Sequence, residues 1–256
     1  MTIAKADYIE GLAKGLAVLE AFDTERQRLN ATQAAQRTGI TRAAARRHLL
    51  TLADLGYLDT DGSHYWLSAR VLRLAGSYMA TSRLPRTLQP TLNRLAAQTQ
   101  AAFSAVVRDG DECVIVARSA GVAEPVRHLA YGLHLGARLP AHATSTGRVL
   151  LASLPKAEFA AWLKGRELAR ITPQTEVNAT RFKALIEQVR QADHCLARDG
   201  HELGIHALAV PLRNMQGQTL AALNVVGTAE QLSDAAVQRQ WLPLLLEAAR
   251  ELRPLL

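Results

Sequence analysis

Two groups of residues in this chain have types and spacings that could do chemistry. The first lies in the second half: His142, Ser145 and Thr146, followed by His194, Cys195, His201 and His206. The second is an arginine block near the start. Between Glu25 and Asp54 there is no acidic residue, while Arg26, Arg28, Arg37, Arg42, Arg46 and Arg47 all fall there.

The first group invites nucleophilic or metal chemistry, but the frames for both are missing. Ser145 near His142 has no evident acid partner, and no GxSxG, P-loop, HExxH or GxGxxG sequence occurs. His194, Cys195, His201 and His206 match no common zinc spacing. No catalytic residue, metal or cofactor is therefore expected. A binding pocket asks for less, namely a few convergent donors in an apolar cleft. The stretch RLPAHATSTGRVLLA offers them. Ser145 and Thr146 immediately precede a helix expected to start near Gly147. Backbone N–H groups and hydroxyls at its positive end would seat a carboxylate.

A one-signed arginine block is a candidate phosphate-contacting face, and the surrounding elements give it a frame. Residues 8–22 place Ile9, Leu12, Leu16, Leu19 and Phe22 on one helical face. Residues 31–39 form a short helix with Thr32 as N-cap and Gly39 as its stop. Thr41 then caps a second helix with the buried stripe Ala45, His48, Leu49 and Leu52, closed by Gly56. Small Ala35 and Ala45 let the two helices approach. The result is a helix-turn-helix whose second helix presents Arg42, Ala43, Arg46 and Arg47 to the major groove. Thr32 and Thr41 flank that face. Residues 57–67 read as a hairpin around Asp61-Gly62-Ser63, the wing, with Gly62, Ser63 and His64 at its tip. Residues 70–83 form a third amphipathic segment ending before Leu84-Pro85. It suits a linker helix and a meeting place for subunits.

The rest of the chain alternates. Hairpin signals stand at Asp109-Gly110-Asp111 and Met215-Gln216-Gly217. Strand and loop are expected over 125–142, and helices over 145–154, 155–165, 180–197 and the last 25 residues. This is an α+β pattern on a mainly antiparallel sheet. The expected domains are a winged helix-turn-helix over 1–69, a linker helix over 70–84 and a ligand-binding domain over 85–256.

Composition bounds these readings. With 48% hydrophobic and 21% charged residues the balance is that of an ordinary globular chain. No apolar run approaches the roughly 18 residues of a membrane helix, and the N-terminus has no secretory pattern. Only two cysteines are present, which fits a reducing cytoplasm. The net charge of +7 favours an anionic partner such as nucleic acid.

Four stretches together carry a resemblance: EGLAKGLAVLEAF, ATQAAQRTGITRAAARRHLLTLADLGYL, GARLPAHATSTGRVLLA and HELGIHALAVPLRNMQGQTLAALNV. They resemble the IclR family of bacterial transcription regulators nearly end to end. Within it they are most similar to the aromatic-acid branch, the PcaR, PcaU and PobR group. The resemblance implies a GAF-like effector domain, homodimers or dimers of dimers, and a roughly palindromic operator in double-stranded DNA. It implies an activator of 4-hydroxybenzoate, protocatechuate or β-ketoadipate degradation, with a small aromatic acid as effector. Its pocket would be lined by Ser145 and Thr146, with Ala207, Asn224 and Val226 from facing strands; His142 and His206 join them by position. The family commonly has Arg where His206 stands, and the acids usually preceding ELG are reduced to Asp199, Gly200 and His201. A regulator of another organic acid, an enzyme with a DNA-binding appendage and a sequence-tolerant DNA binder are the alternatives.

Overall fold

The computed structural model describes residues 4–23, 26–119 and 134–256. Of the strand and loop expected over 125–142, residues 125–133 lie outside the described residues. The chain divides into two compact units, Met1–Thr81 and Ser82–Leu256.

The first unit contains α1 (Glu10–Glu20), α2 (Ala31–Thr38), α3 (Arg42–Asp54), β1 (Leu58–Thr60), β2 (Tyr65–Leu67) and α4 (Leu72–Thr81). Its core is Val18, Phe22, Leu29, Ala34, Ala45, Leu49, Leu58 and Tyr65. Ala35 and Ala45 are buried, as close packing of α2 on α3 requires, and Gly39 takes the left-handed φ of 69° that ends α2. The cap of α2 is Asn30 rather than Thr32. The Asn30 carboxamide oxygen accepts from the N–H groups of Thr32 and Gln33, and Gln33 Oε1 accepts from Asn30 N–H. This capping box stabilises more than a lone threonine because two orphan donors are met reciprocally. The apolar stripe of α1 also differs from expectation. Leu19 and Phe22 pack into the core as expected and Val18 joins them, whereas Ile9, Leu12 and Leu16 are 68%, 60% and 49% exposed.

The second unit begins with α5 (Arg83–Thr99). Pro85 does not end a helix; it sits in the first turn of this one, where its missing N–H removes no helical bond. Six antiparallel strands follow: β3 (Ala102–Asp109), β4 (Glu112–Arg118), β5 (Arg138–Pro140), β6 (Cys195–Arg198), β7 (Ile205–Arg213) and β8 (Thr219–Thr228), in the order β5-β4-β3-β8-β7-β6. One face packs on α5 and on α9 (Leu242–Leu252) through Phe103, Leu208, Leu223, Val225, Trp241 and Leu245. The other packs on α6 (Ser145–Ala152), α7 (Lys156–Leu163) and α8 (Ala179–Ala192) through Val106, Ile115, Leu151, Phe159, Phe182 and Ile186. The helix expected over 180–197 stops at Ala192 because Asp193 turns left-handed, with φ 58°. The next residues, Cys195–Arg198, become the edge strand β6.

Candidate functional site

Each unit positions one group of functional side chains. In the first, α3 runs through the arginine block. Thr41 is its N-cap, its hydroxyl accepting from Ala44 N–H at 3.2 Å. Such a cap stabilises by about 1 kcal/mol. Ala45, Leu49 and Leu52 anchor one side, which leaves Arg42, Ala43, Arg46 and Arg47 exposed on the other. His48 is half-buried, facing Gly15 of α1. Arg28 and Arg37 are answered by acids outside the block, Asp61 and Asp23 respectively. Among the described residues Arg42, Arg46 and Arg47 have no carboxylate partner, so their charge is available to phosphate or to guanine edges.

The wing is a two-stranded hairpin in the register Leu58↔Leu67, Asp59↔Trp66, Thr60↔Tyr65. Leu29 adds a bridge to Tyr65. At its tip Gly62 has φ 92°. One Asp61 carboxylate oxygen accepts from Ser63 N–H, Ser63 Oγ and His64 N–H. These donors, His64 N–H foremost, hold the Asp61 carboxyl down to about 2. Gly62 and Ser63 are exposed, while His64 is half-buried. Thr32 is exposed at the start of α2.

In the second unit a cavity of about 130 Å³ lies between the sheet and the first turn of α6. Thr144 is the N-cap, its hydroxyl accepting from Gly147 N–H at 3.1 Å. Ser145 and Thr146 are therefore the first two helical residues rather than the two before the helix. Their N–H groups have no carbonyl of the preceding turn to reach. Both are buried and both line the cavity. Ser145 Oγ has no hydrogen-bond partner among the described residues. Gly147 is required here, because a Cβ on it would stand 2.1 Å from the Ala141 carbonyl oxygen.

The opposite wall follows from strand periodicity. Asn224 faces Ser104 across the β3–β8 pair, and Ala207 faces Val226 across β7–β8. Ser104 Oγ donates to Asn224 Oδ1 at 2.6 Å, which leaves the Asn224 amide as a donor. Val106, Ile115, Ala207 and Val226 supply apolar surface, and His201 and Glu202 close one side. Burial holds the His201 imidazole below its ordinary value, with Glu202 acting against that shift.

The same geometry places His142 and His206 away from this cavity. Neither ring lines the cavity. His142 Nε2 bonds with the Ala169 carbonyl at 2.8 Å, and the ring stands edge-on to Phe182. Its backbone carbonyl accepts from Arg148 Nε at 2.9 Å, so the residue fixes the loop that shapes the cavity. His206 neighbours Ala207 on one strand and points to the opposite face, with Nε2 3.7 Å from Asp199 Oδ2. Ser104 and Glu202 are lining residues that sequence reasoning did not single out. His201, considered only as a metal or catalytic candidate, is a third. The register Ser104↔Asn224 depends on strand pairing across 120 positions of sequence, and no local pattern signals it.

The helix-turn-helix and the first strand of the wing match the IclR helix-turn-helix domain over residues 11–62. The cavity-bearing unit matches the family described as bacterial transcriptional regulator IclR C-terminal, over residues 76–253. The chain belongs to the IclR family. It is a DNA-binding transcription regulator with a separate effector domain, and not an enzyme.

Among IclR relatives it is similar to the p-hydroxybenzoate hydroxylase transcriptional activator of Acinetobacter baylyi. The two are 51% identical over 254 residues, covering 99% of this chain and 94% of that protein. It is 46% identical to the Pca operon regulatory protein of the same organism, covering 99% and 91%. The inducer-binding domain of an Acinetobacter PobR double mutant, solved with 3-hydroxybenzoic acid, superimposes with a TM-score of 0.61 at 44% identity. That match covers 67% of this chain and 98% of the other. IclR membership within the aromatic-acid branch is thus shown by the full-length relatives. No helix among the described residues is long and apolar enough to cross a membrane.

Proposed function

We propose that this IclR regulator senses a small aromatic monocarboxylic acid and activates a catabolic operon for it. The observation that carries the reading is Ser145: a buried hydroxyl without a partner among the described residues, beside the first two N–H groups of a helix, facing an apolar cavity. A carboxylate on the Ser145 and Thr146 N–H groups would satisfy all three donors at the positive end of α6. The ring would then lie against Val106, Ile115, Ala207 and Val226, with Asn224 and Ser104 in reach of a ring hydroxyl. The cavity is of the size that admits one ring; an apolar cavity of about 150 Å³ takes up benzene. The hydroxybenzoate named for the Acinetobacter activator and for the PobR domain supports the same class.

The DNA partner of this reading is a double-stranded operator read by Arg42, Ala43, Arg46 and Arg47, with Thr32 and Thr41 beside them. Gly62, Ser63 and His64 of the wing contact the backbone or minor groove, and residues 70–84 connect this head to an effector domain over 85–256. The regulator acts in the cytoplasm as a homodimer or dimer of dimers. Support for self-association comes from apolar side chains left uncovered on α1 and α4, namely Ile9, Leu12, Leu16, Leu72, Leu74 and Tyr78. Exposed apolar side chains mark association sites where they adjoin one another.

Thermal denaturation of the purified chain against 4-hydroxybenzoate, 3-hydroxybenzoate, protocatechuate, pyruvate and glyoxylate tests the proposal. Ligand at about 100 times its dissociation constant stabilises by roughly 2.7 kcal/mol. A shift confined to one or more of the aromatic acids is expected. A shift confined to pyruvate or glyoxylate would move the effector to another class.

A further inference from the structure

We propose a second anion-binding site on the effector domain, a pocket of three guanidinium groups that takes a small oxyanion carrying two or more negative charges. The pocket lies on the outer side of α6, between α8, the loop before it and the end of β6. Arg148, Arg181 and Arg198 line it together with Gln174 and Gln188, and Glu176 is its single carboxylate. Its volume is about 380 Å³, and none of its lining residues belongs to the effector cavity.

Arg148 decides the matter. The residue is only 7% exposed, yet among the described residues no carboxylate lies within ion-pair distance of it. Its Nε donates to the His142 carbonyl, and its guanidinium lies beside the Cys195 thiol. Both are neutral. Arg148 is also the fourth residue of α6, at the end of its first turn, where the helix dipole disfavours a cation. A buried guanidinium in that position is strongly destabilising unless an anion answers it.

The neighbouring charges do not answer it. Glu176 is engaged by Arg181, with Nε to Oε2 at 3.0 Å, and its carboxyl is held below the ordinary range chiefly by the Asn178 N–H. Arg198 is paired with Asp234, which does not line the pocket. Arg181 and Arg198 remain substantially exposed, so each can keep its partner and still donate inward. Guanidinium forks match the paired oxygens of phosphate or carboxylate. Arg148 also braces two segments that line the effector cavity: it holds the His142 carbonyl, and its Nη2 would lie 3.4 Å from a Cβ at Gly200.

The experiment is isothermal titration of the full chain with inorganic phosphate and, separately, with malonate, at ionic strength held constant with chloride. Saturable binding of one anion per chain is expected for at least one probe. The tighter of the two assigns the site to a phosphate or a dicarboxylate source. Arg181→Gln and Arg198→Gln leave the buried Arg148 in place and should each weaken binding about tenfold, the worth of one charge-assisted hydrogen bond. Arg46→Ala, on the DNA-binding face, should leave it unchanged. Absence of saturable binding to the wild-type chain, or wild-type affinity in both pocket variants, would overturn the proposal. So would loss of binding in Arg46→Ala alone, since the anion would then sit on the DNA-binding face.

Discussion

Ser145→Ala removes one oxygen from the effector cavity and should move two measurable quantities in opposite directions. Among the described residues Ser145 Oγ is buried without a partner, and a hydroxyl in that state costs roughly 1–3 kcal/mol. Alanine removes the cost at the expense of little packing. The second unit should therefore be as stable as before or more so; for a unit of this size 1 kcal/mol corresponds to about 2–4 °C. With the aromatic acid bound, the same oxygen donates to an ionised carboxylate. A hydrogen bond to a charged group contributes about 1.5–3 kcal/mol, so affinity should fall between about tenfold and a hundredfold. Differential scanning fluorimetry without ligand and calorimetric titration with 4-hydroxybenzoate read the two effects separately. A melting temperature lowered by several degrees would make Ser145 a structural residue. Unchanged affinity would remove the carboxylate from the N-terminus of α6.

Arg46→Ala or Arg47→Ala should cost about 1–3 kcal/mol of operator binding if the side chain reads a base edge; a uniform loss on all DNA with a shallower salt dependence would instead make it a phosphate contact. Gly147→Ala places a methyl group 2.1 Å from the Ala141 carbonyl oxygen, so effector binding should be lost while the first unit still binds DNA; normal effector titration would contradict the loop geometry. Leu12→Glu, on a side chain 60% exposed, should shift the chain toward monomer in sedimentation without lowering its helical content, and an unaltered oligomer would place the interface elsewhere. Burial lowers both the His142 and His201 imidazoles, so below the ordinary histidine value near 6.5 the unfolded chain binds more protons than the folded one. Stability should fall as pH drops through that value and level off above it. A denaturation midpoint higher at pH 5.5 than at pH 7.5 would reverse the sign.

Local signals in the sequence carried most of the fold. Gly39, Gly56 and the Asp61–Ser63 turn announce where helices and strands end, and the turn signal at Met215-Gln216-Gly217 falls between β7 and β8. Where local signals competed, one lost: Asn30 outranks Thr32 as a cap because Gln33 completes a box with it. Where tertiary context decides, the sequence was silent. Of the stripe Ile9, Leu12, Leu16, Leu19 and Phe22, which has the period of a buried face, this fold turns only the end inward, with Val18 beside it, and leaves Ile9, Leu12 and Leu16 exposed. His206 has the right neighbours in sequence but the wrong parity on its strand, which places its ring on the far side of the sheet. His142 reaches the cavity loop only through its backbone. Ser104 meets Asn224 solely because β3 pairs with β8, a contact between segments far apart in the chain. Arg148 reads as an ordinary helical arginine until its burial, and the absence of an acid partner among the described residues, are seen.

The most direct test of the central claim is fluorescence anisotropy of the full chain on the DNA upstream of its own gene, titrated with and without 4-hydroxybenzoate or protocatechuate. The account predicts binding that prefers this DNA over random sequence and changes when an aromatic acid is added, with the acid's effect lost in Ser145→Ala. Equal affinity for random DNA, or binding indifferent to every aromatic acid tried, would contradict it.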